Sequence, residues 1–260
     1  MERYVNEILT ECEVTGHAAT PALIHLYEVR DSPALSSTAT EQFHSRVAKL
    51  LYLTKRIRPD MLAANSFLAS RVHAPTEDDW NKLDRLLRYL NSTKSMGIAL
   101  SADHDLSVLA YVDASYGVHW DAKSQTGLSI SLGKGPIFAK STKQKLVSKS
   151  STEAELIGLS DSFSQAIWTR EFLIEQGYDI SPATVFQDNK STIVMAEKGR
   201  STSERTRHIH IRFYFIKDRI DNKELKIEYL PTKLMIADIL TKPLQGELFQ
   251  KLRKELLNWE

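Results

Sequence analysis

Only one of the 260 residues is a cysteine, Cys12, so the chain has no partner for an intrachain disulfide and no set of thiolates for a zinc cluster. Long apolar runs are also missing: none approaches the ~20 residues that a membrane-spanning helix needs. The opening stretch MERYVNEILTECEV is acidic and amphipathic, and lacks the basic-then-apolar layout of a secretory signal. These absences set the expectation of a soluble chain in a reducing compartment. A serine-hydrolase reading finds no support, because Ser115 and Ser151 have no credible His and Asp partners. A dominant charge is lacking as well, since 34 basic residues face 33 acidic ones for a net +1.

That near-neutral total hides local patterning. From Lys134 to Lys149 there are five lysines and no acid, and from Lys198 to Arg219 seven Lys or Arg stand against Glu204 and Asp218. One such run is ordinarily a solvated face; two in the same half of the chain point to an anionic polymer. Apolar residues make up 42% and charged residues 26%, the balance of a chain with a real core and of one large domain or two ordinary ones.

The first hundred residues read as three or four helices. EQFHSRVAKLLYLTKRI sets Val47, Leu50, Leu51 and Leu53 on a stripe that Pro59 stops, RPDMLAANSFLASRV repeats the spacing, and PTEDDWNKLDRLLRYLNSTK opens with Pro75 and acids. Near Ala102 the character changes. LSVLAYVD is a nearly continuous apolar run suited to a central strand covered on both faces. TGLSISLGKGPIFAKS reads as two strands joined by Gly-Lys-Gly. A long helix follows from about Ser151 until Gly177 ends it. ATVFQD is a short strand, a helix starts near Ser191, RTRHIHIRFYFIKDRI is a basic helix, ELKIEYLP is a strand, and LMIADILTK and LFQKLRKELLNW are helical. The order implies a mixed-sheet α/β domain spanning 104–260, preceded by a mainly helical region spanning 1–103.

Four acids stand out. Asp113 and Asp188 each close an apolar strand, the edge where ligands collect in open α/β sheets. Glu155 lies one turn into the long helix and is preferred over Glu153, which Ser150-Ser-Thr-Glu153 assigns to a capping box. Asp238 sits among Ile236, Ala237, Ile239 and Leu240, read here as mid-helix. An unpaired buried carboxylate is costly, so these acids need a cation. Carboxylates without Cys or paired His select Mg²⁺ or Mn²⁺ over zinc, and two such ions suit in-line phosphoryl displacement. Lys143, Lys145 and Lys149, with Arg205 and Arg207, are the candidate contacts to a phosphate backbone. His208 and His210, two residues apart, are read as packing or exposed residues ahead of any contact role. Trp168 and Phe172 are read as core.

In this order YVDAS, KSSTEAEL, FQDNKS, RTRHIHIRFYFIKDRI, YLPT and IADILTKPL resemble the RNase H domain of copia-type retrotransposon Pol polyproteins, from about Ser107 to Trp259. RYVNEIL, HSRVAKLLYLTKRIRPDM and HAPTEDDWNKLDRLLRYLNSTKSMG resemble the thumb and connection region of the reverse transcriptase in the same polyprotein. The resemblance implies a five-stranded RNase H-like mixed sheet, its first three strands antiparallel, flanked by helices. It implies an endonuclease that cuts the RNA strand of RNA/DNA hybrids, with Asp113, Glu155, Asp188 and Asp238 as metal-binding acids. It implies as partners the hybrid and the rest of Pol, namely palm, fingers and integrase, with no membrane. The implied compartment is cytoplasmic, in a virus-like particle for an active element, or nuclear. There are two departures. No Tyr-X-Asp-Asp motif occurs, since Asp78-Asp79 lies at a helix start, so polymerisation by this chain alone is not expected. The loop PTKLMIAD also lacks the histidine that many RNase H enzymes carry before the last acid, Lys233 being the nearest charge. A non-catalytic nucleic-acid-binding or structural remnant stays open, as does a nuclease of the same fold acting on DNA or double-stranded RNA.

Overall fold

The computed structural model describes residues 1–199 and 207–259. Its first part is helical, as the spacing predicts: α1 (Glu2–Glu11), α2 (Ser37–Arg56), α3 (Leu62–Ala69) and α4 (Glu77–Ser92). The Ser36 hydroxyl accepts from Ala39 N at the start of α2, and Thr76 with Asp79 forms a full capping box on α4. Such caps satisfy helix-end N–H groups, at about 1 kcal/mol each. Between α3 and its neighbours, Arg58 is fully buried. It forks onto Asp60 at 3.0 and 2.8 Å and donates to Thr93, while the Tyr89 hydroxyl completes Asp60 at 2.5 Å. A buried pair is tolerated when its remaining valences are filled in this way.

The second part is built on a sheet of five strands: β1 (Leu109–Ser115), β2 (Gln125–Ser131), β3 (Pro136–Lys143), β4 (Ala183–Gln187) and β5 (Leu225–Tyr229). Their order is β3-β2-β1-β4-β5. β1, β2 and β3 are antiparallel, while β4 runs parallel to both β1 and β5. This is the RNase H-like mixed sheet, and the apolar run LSVLAYVD supplies its central strand. Gly133–Lys134, between β2 and β3, is more than a hairpin turn, because it pairs antiparallel with Ser101–Ala102.

α5 (Ser151–Glu175), α6 (Lys190–Lys198), α7 (Arg207–Asp221) and α8 (Gly246–Leu257) complete the chain. Gly177, at φ +90°, takes up the left-handed turn that closes α5. LMIADILTK is not an α-helix: Ile236–Leu240 is a 3₁₀ segment. Asp238 is therefore not in the middle of an α-helix, and a tighter turn of five residues carries it.

Two apolar cores result. One packs Val112, Leu128, Leu156, Phe163, Val185, Phe213 and their neighbours between sheet and helices. The other is formed by α1 to α4 but also takes in Ile239, Leu240, Phe249 and Leu256 from the far end of the chain. Trp168 and Phe172 belong to neither. They are 61% and 50% exposed on α5 and stack on each other at 5.5 Å. The core expectation for them fails because they lie on the solvent side of that helix, where pairing covers part of their surface.

Candidate active site

Strand alternation sends Asp113 and Ala114 to opposite faces of the sheet. α5 lies on the Ala114 face, where Gly158 sits so close that an added Cβ would be 3.5 Å from Ala114 and Thr126. On the other face Asp113 stands opposite Gly127 of β2. A Cβ at Gly127 would meet Leu240 Cβ and Thr241 Cγ2 at 2.8 Å and Ala237 O at 2.9 Å. The bare glycine is what lets the 3₁₀ segment settle onto the sheet beside Asp113. Asp188 arrives independently. β1 pairs β4 in parallel with Tyr111 opposite Phe186, and continuing that register by two residues sets Asp188 beside Asp113.

The consequence is a convergence of three acids: carboxylate oxygens of Asp113, Asp188 and Asp238 all lie within 4.8 Å of one another. Asp113 and Asp238 are almost fully buried, at 1% and 3% exposure, and Asp188 is half-buried. Glu155, also buried, does not offer an oxygen to that trio but stands beside it. Its Oε2 accepts from Gln187 Nε2 at 3.2 Å, and it also accepts from the Ala114 backbone. Glu153 keeps a structural role at the start of α5. Ser150 Oγ accepts from Glu153 N, while Glu153 Oε2 takes Lys149 N at 2.7 Å, one residue earlier than a capping box has it.

Several residues that complete the site were not singled out in the sequence. Lys242 Nζ lies 3.1 Å from Asp113 Oδ1 and 2.8 Å from Asp238 Oδ1. The Thr241 hydroxyl donates to Asp113 Oδ2, and Thr232 Oγ1 donates to Asp188 Oδ2 at 2.7 Å. Gln187, fully buried, accepts from Asp188 N and Asn189 N at 2.8 and 2.9 Å with its Oε1 while its amide serves Glu155. Lys242 was legible as the lysine of IADILTKPL, four residues from Asp238. Thr241, Thr232 and Gln187 lie in the stretches IADILTKPL, YLPT and FQDNKS, but nothing in their spacing marks them as partners of the acids.

The electrostatics follow from this crowding. Burial, and then the charge of Asp113, push Asp238 up to about 7 from an ordinary 3.8, even though Lys242 pulls the other way. Burial followed by Asp113 and Asp188 raises Glu155 well above the carboxylate range. The same two aspartates that Lys242 bridges hold its ammonium firmly charged against the cost of burial. Like charges at this spacing cannot all ionise without a compensating cation. Lys242 supplies one positive charge for four carboxylates. An all-oxygen donor set of this kind fits a hard divalent cation such as Mg²⁺ or Mn²⁺.

The candidate phosphate contacts are placed variously. Lys145 and Lys149 are exposed just ahead of α5, and Lys143 and Lys145 share a groove with Lys140 and Arg212. Lys143 is partly engaged, 2.8 Å from Asp121 and over the Trp120 ring. Arg205 lies outside the described residues, as do the side chains of Arg207, His208 and His210. Lys233 is exposed in the turn after β5.

No family model matches the chain. A retrovirus-related Pol polyprotein from transposon RE2 of Arabidopsis thaliana is 35% identical over 217 residues, covering 83% of this chain and 15% of the relative. A second, from transposon RE1 of the same plant, is 31% identical over 98% of this chain and 17% of the relative. This chain is a homologue of copia-type retrotransposon Pol polyproteins. The Pol homologue thus corresponds to a small part of those relatives' length. A secreted RxLR effector protein of Plasmopara viticola is also 33% identical over 48% of the Pol homologue and 88% of its own chain. Among solved structures, an RNase H1 isolated from compost aligns with 52% of this chain and 93% of its own at 14% identity and TM-score 0.40.

Proposed function

We propose that this Pol homologue is an RNase H-type endonuclease that hydrolyses the RNA strand of RNA/DNA hybrids with two divalent metal ions, leaving 3′-hydroxyl and 5′-phosphate ends. The observation that carries the reading is the meeting of Asp113, Asp188 and Asp238 from three separate parts of the chain, with Glu155 alongside. Buried like charges are expensive to maintain, and no feature of the core needs them.

In this reading the four acids hold the metal, Mg²⁺ or Mn²⁺. When bound, the ions lower the pKa of the attacking water and stabilise charge on the leaving 3′ oxygen. The chain's own groups then divide the work. Thr241 and Thr232 fix the carboxylates of Asp113 and Asp188 by donating to one oxygen of each, which leaves the second oxygen of Asp188 for a cation and turns that of Asp113 to Lys242. Gln187 orients Glu155 and the turn that presents Asp188. Lys242, partly exposed beside Asp113 and Asp238, would offer an ammonium to a phosphate or leaving group brought to these acids. It occupies the role left open by the missing histidine. Lys145 and Lys149, with Lys143, Arg205 and Arg207 as further contacts, would grip the backbone, while the hybrid is recognised by groove shape and its 2′-hydroxyls.

The test is cleavage of a labelled hybrid in Mg²⁺. Asp188→Asn is expected to abolish cleavage while binding of the hybrid is largely kept. A wild-type chain that binds the hybrid but never cleaves it would leave only the remnant reading, a basic scaffold.

A further inference from the structure

A second charged site lies away from the acids, between α4 and the segment that precedes α2. A cavity of about 440 Å³ opens there. Arg30, Lys82, Arg85 and Arg88 line it against two carboxylates, Asp78 and Asp84. Those acids are spoken for: Asp78 holds Lys82 at 2.8 Å and Asp84 holds Arg88 at 2.7 Å, while Arg30 turns to Glu28 at 3.3 Å. Among the described residues, Arg85 is the cation of this wall without a carboxylate. One of its nitrogens donates to Thr20 Oγ1 at 2.9 Å, and its Nε is buried with no hydrogen-bond partner among the described residues. Burial lowers its pKa, with no neighbouring acid to offset the loss of water.

A guanidinium partly withdrawn from water with no acid acting on it is unfavourable unless an anion offsets its charge. Its planar fork matches a phosphate, to which it donates two parallel hydrogen bonds. The cavity is also tied to the acidic site. Thr20, which Arg85 touches, is 3.0 Å from Gln245 Oε1, and Tyr27 from the same segment donates to Thr241 O at 2.9 Å. Thr241 and Gln245 flank Lys242 in the loop that follows Asp238, so the segment that walls this cavity packs directly against that loop. We infer that Arg85 and its cavity form a phosphodiester-binding site that holds the backbone of the hybrid to one side of the cut. The inference rests on the nuclease reading for the identity of that polymer, and on the uncompensated guanidinium for the site itself.

The experiment uses the full chain carrying Asp188→Asn, so that hybrid is bound and not consumed, and measures affinity by fluorescence anisotropy across a salt series. Adding Arg85→Gln is expected to weaken binding about fivefold and to lower the slope of log K against log salt by about 1, the signature of one lost phosphate contact. Arg85→Lys keeps the slope and recovers only part of the affinity, because a point charge replaces the fork. In parallel, the Arg85 Nε–H resonance of the parent chain is followed while inorganic phosphate is added, with a shift expected. Thermal melts check folding, and if Arg85→Gln is unfolded, the Arg85→Lys affinity and the phosphate titration decide. Unchanged affinity and slope in Arg85→Gln, or no shift with phosphate, would overturn the site while leaving hybrid cleavage intact. A phosphate shift in a chain that neither binds nor cleaves hybrid would overturn the nuclease reading and its polymer, and leave an anion site.

Discussion

At the scale of single residues, the site is a problem of charge compensation. Asp238 shows it best, because it is buried, lies next to Asp113 and is bridged by Lys242, yet its pKa still rises to about 7. The folded value lies above the ordinary 3.8, so the sign is fixed. The stabilisation of the protonated folded form is fully present below about 4 and is lost as pH rises through about 7. Glu155, also raised, adds a contribution of the same sign. Chelator-treated protein is therefore expected to melt at progressively lower temperature from pH 4 to pH 7, and Asp238→Asn to flatten that dependence. Differential scanning calorimetry over this range checks it. An increase in melting temperature with pH across the window would contradict the burial of these acids.

At the scale of elements, the site depends on two surfaces meeting β1. α5 brings Glu155 from one face and the 3₁₀ segment Ile236–Leu240 brings Asp238 from the other. Gly127 is the position where the second contact is decided, since any side chain there would collide with Leu240, Thr241 and Ala237. Gly127→Ala is expected to cost about 1–3 kcal/mol by overpacking. It should also lower cleavage more than it lowers hybrid binding, because the displaced turn carries Asp238 and Lys242. Chemical denaturation and single-turnover cleavage measure the two effects separately. The strands, α5 and α8 are legible from apolar spacing and end signals. The 3₁₀ turn is not: IADIL has helical spacing, but its conformation is set by what it packs against.

At the scale of the whole molecule, the helical N-terminal part and the sheet are joined by more than sequence. The core of α1 to α4 is completed by Ile239, Leu240, Phe249 and Leu256, so the last helix and the Asp238 turn rest on residues more than a hundred positions earlier. A chain shortened to 104–260 would uncover these side chains, and contiguous apolar patches of that kind drive association. It is expected to self-associate and to melt below the full-length protein, which light scattering and calorimetry would register. A monomeric, equally stable 104–260 would instead make residues 1–103 dispensable to the fold.

The amino-acid order by itself determined the long α-helices and the central strand and singled out the four acids as candidates, because apolar period and strand-end position are local properties of a chain. Trp168 and Phe172 mark its limit, since helical spacing cannot say which side of a long helix faces water. Only the tertiary structure decided that oxygens of three of the four acids come within 4.8 Å of one another, that Lys242 and Thr241 stand against Asp113, and that Arg85 has no counter-ion among the described residues. Each of these depends on distances between segments far apart in sequence, and such distances are fixed by packing and strand register, which no local pattern encodes.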